Sequence, residues 1–218
     1  MANIFWKCST LEYLDLRSFD VSSVTTMGHM FYECNSLTSI IFKNFNSNQV
    51  KIMNDMFCNC TSLKSLDLSS FNTESVIDMS NMFYGCYSMT SLELGTFKTT
   101  LVTNMKNIFY NCSSLYSLNL KYFNTLNVDN YNNMLDNCNE NLQYCISDEI
   151  ISNDIKLQLS NFTKKNCSEL CSFNSYKFIK EKNICIKYSL NDDVYQFEYN
   201  DICYISCPNG TYGLNKDK

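Results

Sequence analysis

The sequence predicts an α/β repeat solenoid with one short parallel strand and one short helical segment in each 26-residue repeat. Three observations carry that prediction. Aromatic and cysteine ladders recur at a spacing of 26: Phe5, Phe31, Phe57, Phe83, Phe109 and Leu135, then Cys8, Cys34, Cys60, Cys86, Cys112 and Cys138. Phe19, Phe45, Phe71, Phe97 and Phe123 keep the same step, as do Val24, Val50, Val76, Val102 and Val128. Within each repeat the pattern then changes period, from two in the first half to three and four in the second.

The first half reads Leu63-x-x-Leu66-x-Leu68, and likewise Leu11/Leu14/Leu16, Leu37/Ile40/Phe42, Met89/Leu92/Leu94 and Leu115/Leu118/Leu120. Alternation of that kind describes a short strand with one face buried. The second half reads Val76, Met79, Met82 and Phe83, which is one face of a helical turn or two. No repeat can bury these side chains alone. Stacking at about 4.8 Å, the strand spacing, turns each position into a continuous wall. A fully buried Leu or Phe is worth roughly 1.5–3 kcal/mol, so the interfaces between neighbouring repeats carry the stability.

The solenoid is expected over residues 1–145, about five repeats, followed by a cysteine-rich region over 146–218. Met1 aligns with Met27, Met53, Met79 and Met105, so the chain is expected to open within a repeat, its N-terminal cap and earlier repeats upstream. With 218 residues, of which 45% are hydrophobic and 18% charged, there is material for a real core. The formal net charge of −5 argues against a nucleic-acid partner. No apolar run approaches the roughly 18 residues of a membrane span, and the first residues carry no secretory signal pattern.

The run Cys60-Thr-Ser-Leu-Lys-Ser-Leu-Asp-Leu-Ser-Ser-Phe-Asn-Thr-Glu-Ser-Val-Ile-Asp-Met-Ser-Asn-Met-Phe83 resembles the bacterial-surface-protein 26-residue repeat, a relative of the BspA-like leucine-rich repeats. The resemblance covers roughly residues 1–145 and implies a leucine-rich-repeat-like fold in a cell-surface or secreted protein linked to adhesion. The loop Asn of ordinary leucine-rich repeats is replaced here by the Phe ladder, so loop hydrogen bonding should differ. Residues 200–213, with Cys203, Cys207-Pro-Asn-Gly-Thr-Tyr-Gly, resemble the opening of cysteine-rich modules in protist surface proteins, which implies that this module continues downstream.

The Cys ladder reads as small buried hydrophobes with free thiols, and all ten Met as core filler in ladder positions. Cys58 stands off the ladder and is expected at the surface. Cys145, Cys167, Cys171, Cys185, Cys203 and Cys207 form an even set of disulfide candidates, with fifteen pairings open. The alternative is a zinc site from Cys167, Cys171, Cys203 and Cys207. The disulfide reading is preferred, so no metal and no cofactor are expected. Glycosylation sequons at Asn59, Asn111, Asn161, Asn166 and Asn209 are roughly as many as thirty Asn would produce by chance.

No phosphate loop, dinucleotide fingerprint, nucleophile elbow or zinc-protease motif is present, and the single His29 is expected to be a solvated residue of the repeat. The chain is therefore read as non-enzymatic. Alternation points two columns away from the core: Asp15, Ile41, Asp67, Glu93 and Asn119, then Arg17, Lys43, Ser69, Gly95 and Lys121. Their side chains vary over a constant frame. The expectation is an extracellular or cell-surface recognition module that meets a protein or glycan on another cell or in the matrix. A passive coat spacer and an intracellular scaffold are the alternatives. Oligomeric state stays open.

Overall fold

The computed structural model describes residues 1–42, 45 and 47–167 in full, and beyond them only the backbone of four short strands. Parallel strands stack as a β-solenoid of about five turns, with one repeat per turn. Strands β1 (Tyr13–Asp15) and β2 (Ser39–Ile41) pair in parallel, Leu14 opposite Ile40. The third turn passes the same place without strand pairing at 65–67. Strands β3 (Ser91–Glu93), β4 (Ser117–Leu120) and β5 (Gln143–Ile146) then continue, Leu92 opposite Leu118 and Leu118 opposite Tyr144. Every partner lies 26 residues on, so the hydrophobic pattern alone dictates this register. A second ladder of single bridges joins Thr26, Ile52, Asp78, Asn104 and Asn130.

The second half of each repeat is not helical in any turn of the described solenoid. It is a chain of tight turns. Met30 N–H bonds Met27 O at 3.2 Å and Cys34 N–H bonds Phe31 O at 3.1 Å. The third residue of each turn, His29 and Glu33, has φ of 58° and 55°. The same two columns are left-handed throughout: Asn3, His29, Asp55, Asn81, Asn107 and Asn133, then Lys7, Glu33, Asn59, Gly85, Asn111 and Asn137. A left-handed residue at every fourth position cannot propagate an α-helix, whereas it is what turns with positive φ at the third residue require. Successive four-residue turns also return every third or fourth side chain to one side, which is why the spacing of Met79, Met82 and Phe83 imitates a helix.

Between these turns the backbone hydrogen bonds run one way, from each turn to the next. Met27, His29, Phe31 and Glu33 donate their N–H groups to the carbonyls of Ile52, Asn54, Met56 and Cys58 in the next turn, at 2.8–2.9 Å. Side chains repeat the ladder. Asn107 donates Nδ2 to Asn81 Oδ1 at 2.9 Å, and Asn133 donates to Asn107 Oδ1 at 3.3 Å. His29 Nε2 lies 3.5 Å from Asp55 Oδ2 in the same column. Asn is favoured here because it tolerates the left-handed region and its amide can both donate and accept. Replacing Asn107 by Val, a β-branched residue poorly suited to positive φ, is expected to cost about 2 kcal/mol. Asn107→Gly loses only the amide contacts. Urea midpoints in the order wild type, Gly, Val check this; equal midpoints for Gly and Val would contradict it.

The core is a set of stacked columns. Phe5, Phe31, Phe57, Phe83 and Phe109 stack face to face, with centroids 5.3–5.9 Å apart and planes within 10°. Phe45, Phe71, Phe97 and Phe123 form the second buried column, Phe45 and Phe71 stacking at 5.0 Å. Phe42, standing where other repeats have Leu, packs edge-on against both columns, 6.0 Å from Phe31 and 5.0 Å from Phe71. In the first turn Phe19 and Phe5 are only half-buried and Cys8 is exposed, contrary to the sequence expectation of uniform burial. A ladder residue is buried when turns cover it from both sides along the axis, and among the described residues turn one is covered from the side of turn two.

The expected domain boundary at 145/146 falls inside β5, and the sheet runs on. A 3₁₀ turn (Asp148–Ile150) leads to helix α1 (Asn153–Leu159), which buries Ile155 and Leu159 over the last turn. Strand β6 (Thr163–Lys164) then pairs with β5 in parallel. Farther on, β7 (Tyr176–Ile179), β8 (Ile184–Lys187), β9 (Cys203–Tyr204) and β10 (Tyr212–Leu214) pair in the order β10-β8-β7-β9. No helix among the described residues is long and apolar enough to cross a membrane.

Candidate recognition surface

Most polar chemistry in the repeat is spent on joining turns. Cys34, Cys60, Cys86, Cys112 and Cys138 each donate their thiol to the carbonyl of Phe5, Phe31, Phe57, Phe83 or Phe109 in the preceding turn, at 3.1–3.2 Å. Burial drives these thiols up, Cys34 to about 11 and Cys138 to about 12, with Cys60, Cys86 and Cys112 also well above the ordinary value. Thiolate is the nucleophile, so these groups are inert in the fold. At pH 8, alkylation is expected to label Cys8 at once, and Cys34, Cys60, Cys86 and Cys112 only after unfolding; native labelling of Cys86 would refute the ladder. On unfolding the thiols return to their ordinary range and release protons above it. This contribution to stability is therefore complete below pH 9 and falls as pH rises further.

Cys58 corrects the sequence expectation: it is buried, and burial raises its thiol to about 12. It occupies the column of Trp6, Tyr32, Tyr84 and Tyr110, where Trp6 stacks on Tyr32 and Tyr84 on Tyr110. A short side chain between larger ring-bearing neighbours is covered by them.

A buried hydroxyl ladder went unread in the sequence. Thr73 Oγ1 donates to Lys98 O at 3.1 Å and accepts Lys98 N–H at 2.9 Å. Ser47 makes the same pair of bonds to Asn72, and Thr99 donates to Asn124 O at 2.7 Å. The signal was there, since 47, 73, 99 and 125 are Ser or Thr at the constant period.

The outward columns divide. Asp15 accepts Arg17 N–H at 3.0 Å and pairs with its guanidinium at 2.7 Å, which holds the Asp15 carboxyl below its usual range. Asp67 accepts Ser69 N–H at 3.0 Å and the Ser69 hydroxyl at 2.6 Å. Asn119 accepts Lys121 N–H at 3.1 Å in the same way. The acidic or amide residue at this position thus bonds the backbone two residues on, a local turn device. Ile41 and Lys121 are half-buried, Arg17 and Ser69 are exposed, and Lys43 lies outside the described residues.

Glu93 and Asn119 depart from the expected exposed face: they are 9% and 1% exposed, and Gly95 is buried. Asn119 Nδ2 donates to Glu93 Oε2 at 3.0 Å. The next member of the column is Cys145, whose Sγ lies 3.2 Å from Asn119 Oδ1 and is bonded to Cys167. An outward Cys145 side chain linked to Cys167, with Cα atoms 5.1 Å apart, draws the chain over this end of the face. That pairing was one of fifteen left open. It also takes Cys167 from the alternative zinc set, whose other members, with Cys185, have side chains outside the described residues.

A family model described as "Mycoplasma protein of unknown function, DUF285" matches residues 1–112 and again residues 38–149. The chain belongs to the DUF285 family. No curated protein and no solved structure matches it. In this DUF285 chain the two overlapping matches span the stacked turns, from the first through β5. Beyond the strand columns, its surface carries exposed aromatic side chains that the sequence reading passed over: Tyr13, Tyr87, Tyr116 and Tyr122. Tyr87 and Tyr116 sit in columns that in the preceding turn hold Thr61 and Thr90.

Proposed function

We propose that the chain is a non-enzymatic recognition module of a cell-surface or secreted protein, linked to adhesion, which binds a protein or glycan through the open part of its outer strand face. Its repeat is read as a leucine-rich-repeat-like variant of the bacterial-surface-protein type. The supporting observation is the division of labour in each turn: the thiols, hydroxyls and left-handed amides hold turns together, while Asp15, Arg17, Ile41, Asp67 and Ser69 face outward and differ from turn to turn. Glu93, Asn119 and Lys121 border this face rather than present it. A rigid frame with variable outward positions suits binding, because little ordering entropy is lost on contact. Biotinylation of intact cells is expected to label the chain; an unlabelled chain would remove the surface assignment. Asp15→Lys with Asp67→Lys is expected to reduce capture of the partner at least tenfold, and unchanged capture would move the binding face elsewhere.

A further inference from the structure

Tyr87 and Tyr116 are 41% and 46% exposed, and both hydroxyls are held by amides from the following turn. Asn111 donates Nδ2 to the Tyr87 hydroxyl at 3.2 Å, and Gln143 donates Nε2 to the Tyr116 hydroxyl. A tyrosine hydroxyl lies at the far end of a rigid ring. Each hydroxyl is thus anchored one turn on, while a large part of the side chain stays exposed. In repeat register the two residues stand one turn and three positions apart, so their Cα atoms are separated by at most about 12 Å. In the adjoining column Tyr84 and Tyr110 stack at 5.0 Å.

We propose that Tyr87 and Tyr116 form a platform for the ring face of a pyranoside glycan; this rests on the recognition reading and names its ligand class. The chemistry matches on both counts. An aromatic face carries negative quadrupole density that attracts the polarised C–H bonds of a sugar's axial face. The amides of Asn111 and Gln143, one N–H of each already directed at a tyrosine hydroxyl, present further donor and acceptor atoms at the rim, where sugar hydroxyls lie. The tethered rings have already lost side-chain freedom, so contact with a ligand costs less. β-1,4-linked glucose-type chains fit best, since their equatorial substituents leave the axial C–H faces clear.

Affinity electrophoresis of the full chain through native gels containing hydroxyethyl cellulose or glycol chitin tests this. Retardation by at least one of the two is expected. Tyr87→Ala and Tyr116→Ala should each weaken it about tenfold or more, the size of a binding hot spot. Tyr122→Ala, an exposed ring elsewhere, should leave it unchanged. Tyr87→Phe, which keeps the ring and frees its end, should weaken it less than alanine does. Thermal melts of each variant establish that the fold is retained. Unaltered migration in both gels, or retardation that survives both alanine variants, would overturn the platform. If partner capture still depends on Asp15 and Asp67 while neither gel retards the chain, the ligand is a protein: the glycan proposal fails and the recognition reading stands.

Discussion

Phe71→Asp is expected to divide the solenoid into two melting units. Phe71 is buried, stacks on Phe45 at 5.0 Å and meets the edge of Phe42 at the same distance. Loss of the ring costs about 3–5 kcal/mol. Forcing a carboxylate into its place adds several more, unless the turn opens to water. The sum rivals the 5–15 kcal/mol that holds a typical domain together. Stability in a stacked array is a sum of neighbour terms, so a defect in the third turn uncouples the turns on either side. The single Trp6 lies in turn one and stacks on Tyr32. Its fluorescence is expected to report an earlier transition than circular dichroism of the whole chain. In the wild type the two probes should coincide. Coincident curves at an unchanged temperature in the variant would refute the stacked core.

The second large effect is expected from a substitution that barely changes volume. Thr73→Val keeps the shape of the side chain but removes the hydroxyl that both donates to Lys98 O and accepts Lys98 N–H. Thr73 is 2% exposed. Each backbone group left without its partner there costs about 1–3 kcal/mol, so about 2–6 kcal/mol is at stake. Thr73→Ser keeps the hydroxyl and should recover most of the loss, apart from one buried methyl at about 1 kcal/mol. Denaturant midpoints for the three proteins decide it. A Val variant as stable as the Ser variant would show that the hydroxyl ladder contributes nothing.

The disulfide shows why the end of the solenoid differs from its middle. In turns one and three Arg17 and Ser69 are exposed, and Asp15 and Asp67 serve their own turns. At turns four and five Glu93 and Asn119 are buried and bonded to each other, and the Cys145–Cys167 bond lies beside Asn119 at the end of that column. Alternation places Asp15 opposite Ile41 and Glu93 opposite Asn119 in the paired strands. Exposure is a separate matter, since it depends on what else reaches them.

The solenoid was legible in the sequence because it is a nearest-neighbour structure: a residue's partner is its own image 26 positions away, so the ladders of Phe, Leu, Val and Cys state both core and register. The left-handed columns were legible in part. Asn81, Asn107 and Asn133 repeat at the same step, but a turn every four residues and a helix give the same apolar spacing, and only the backbone angles separate them. What the sequence alone could not decide lies where the repeat ends or where a column changes residue. The burial of Cys58 depends on the neighbours' side chains over it. The exposure of Cys8 and the half-burial of Phe19 depend on what packs on the outer side of turn one, and the choice of Cys167 for Cys145 depends on helix α1 and strand β6 turning the chain back across the last turn. Periodicity encodes contacts that recur in every turn; contacts made once have no periodic trace, and tertiary packing alone selects them.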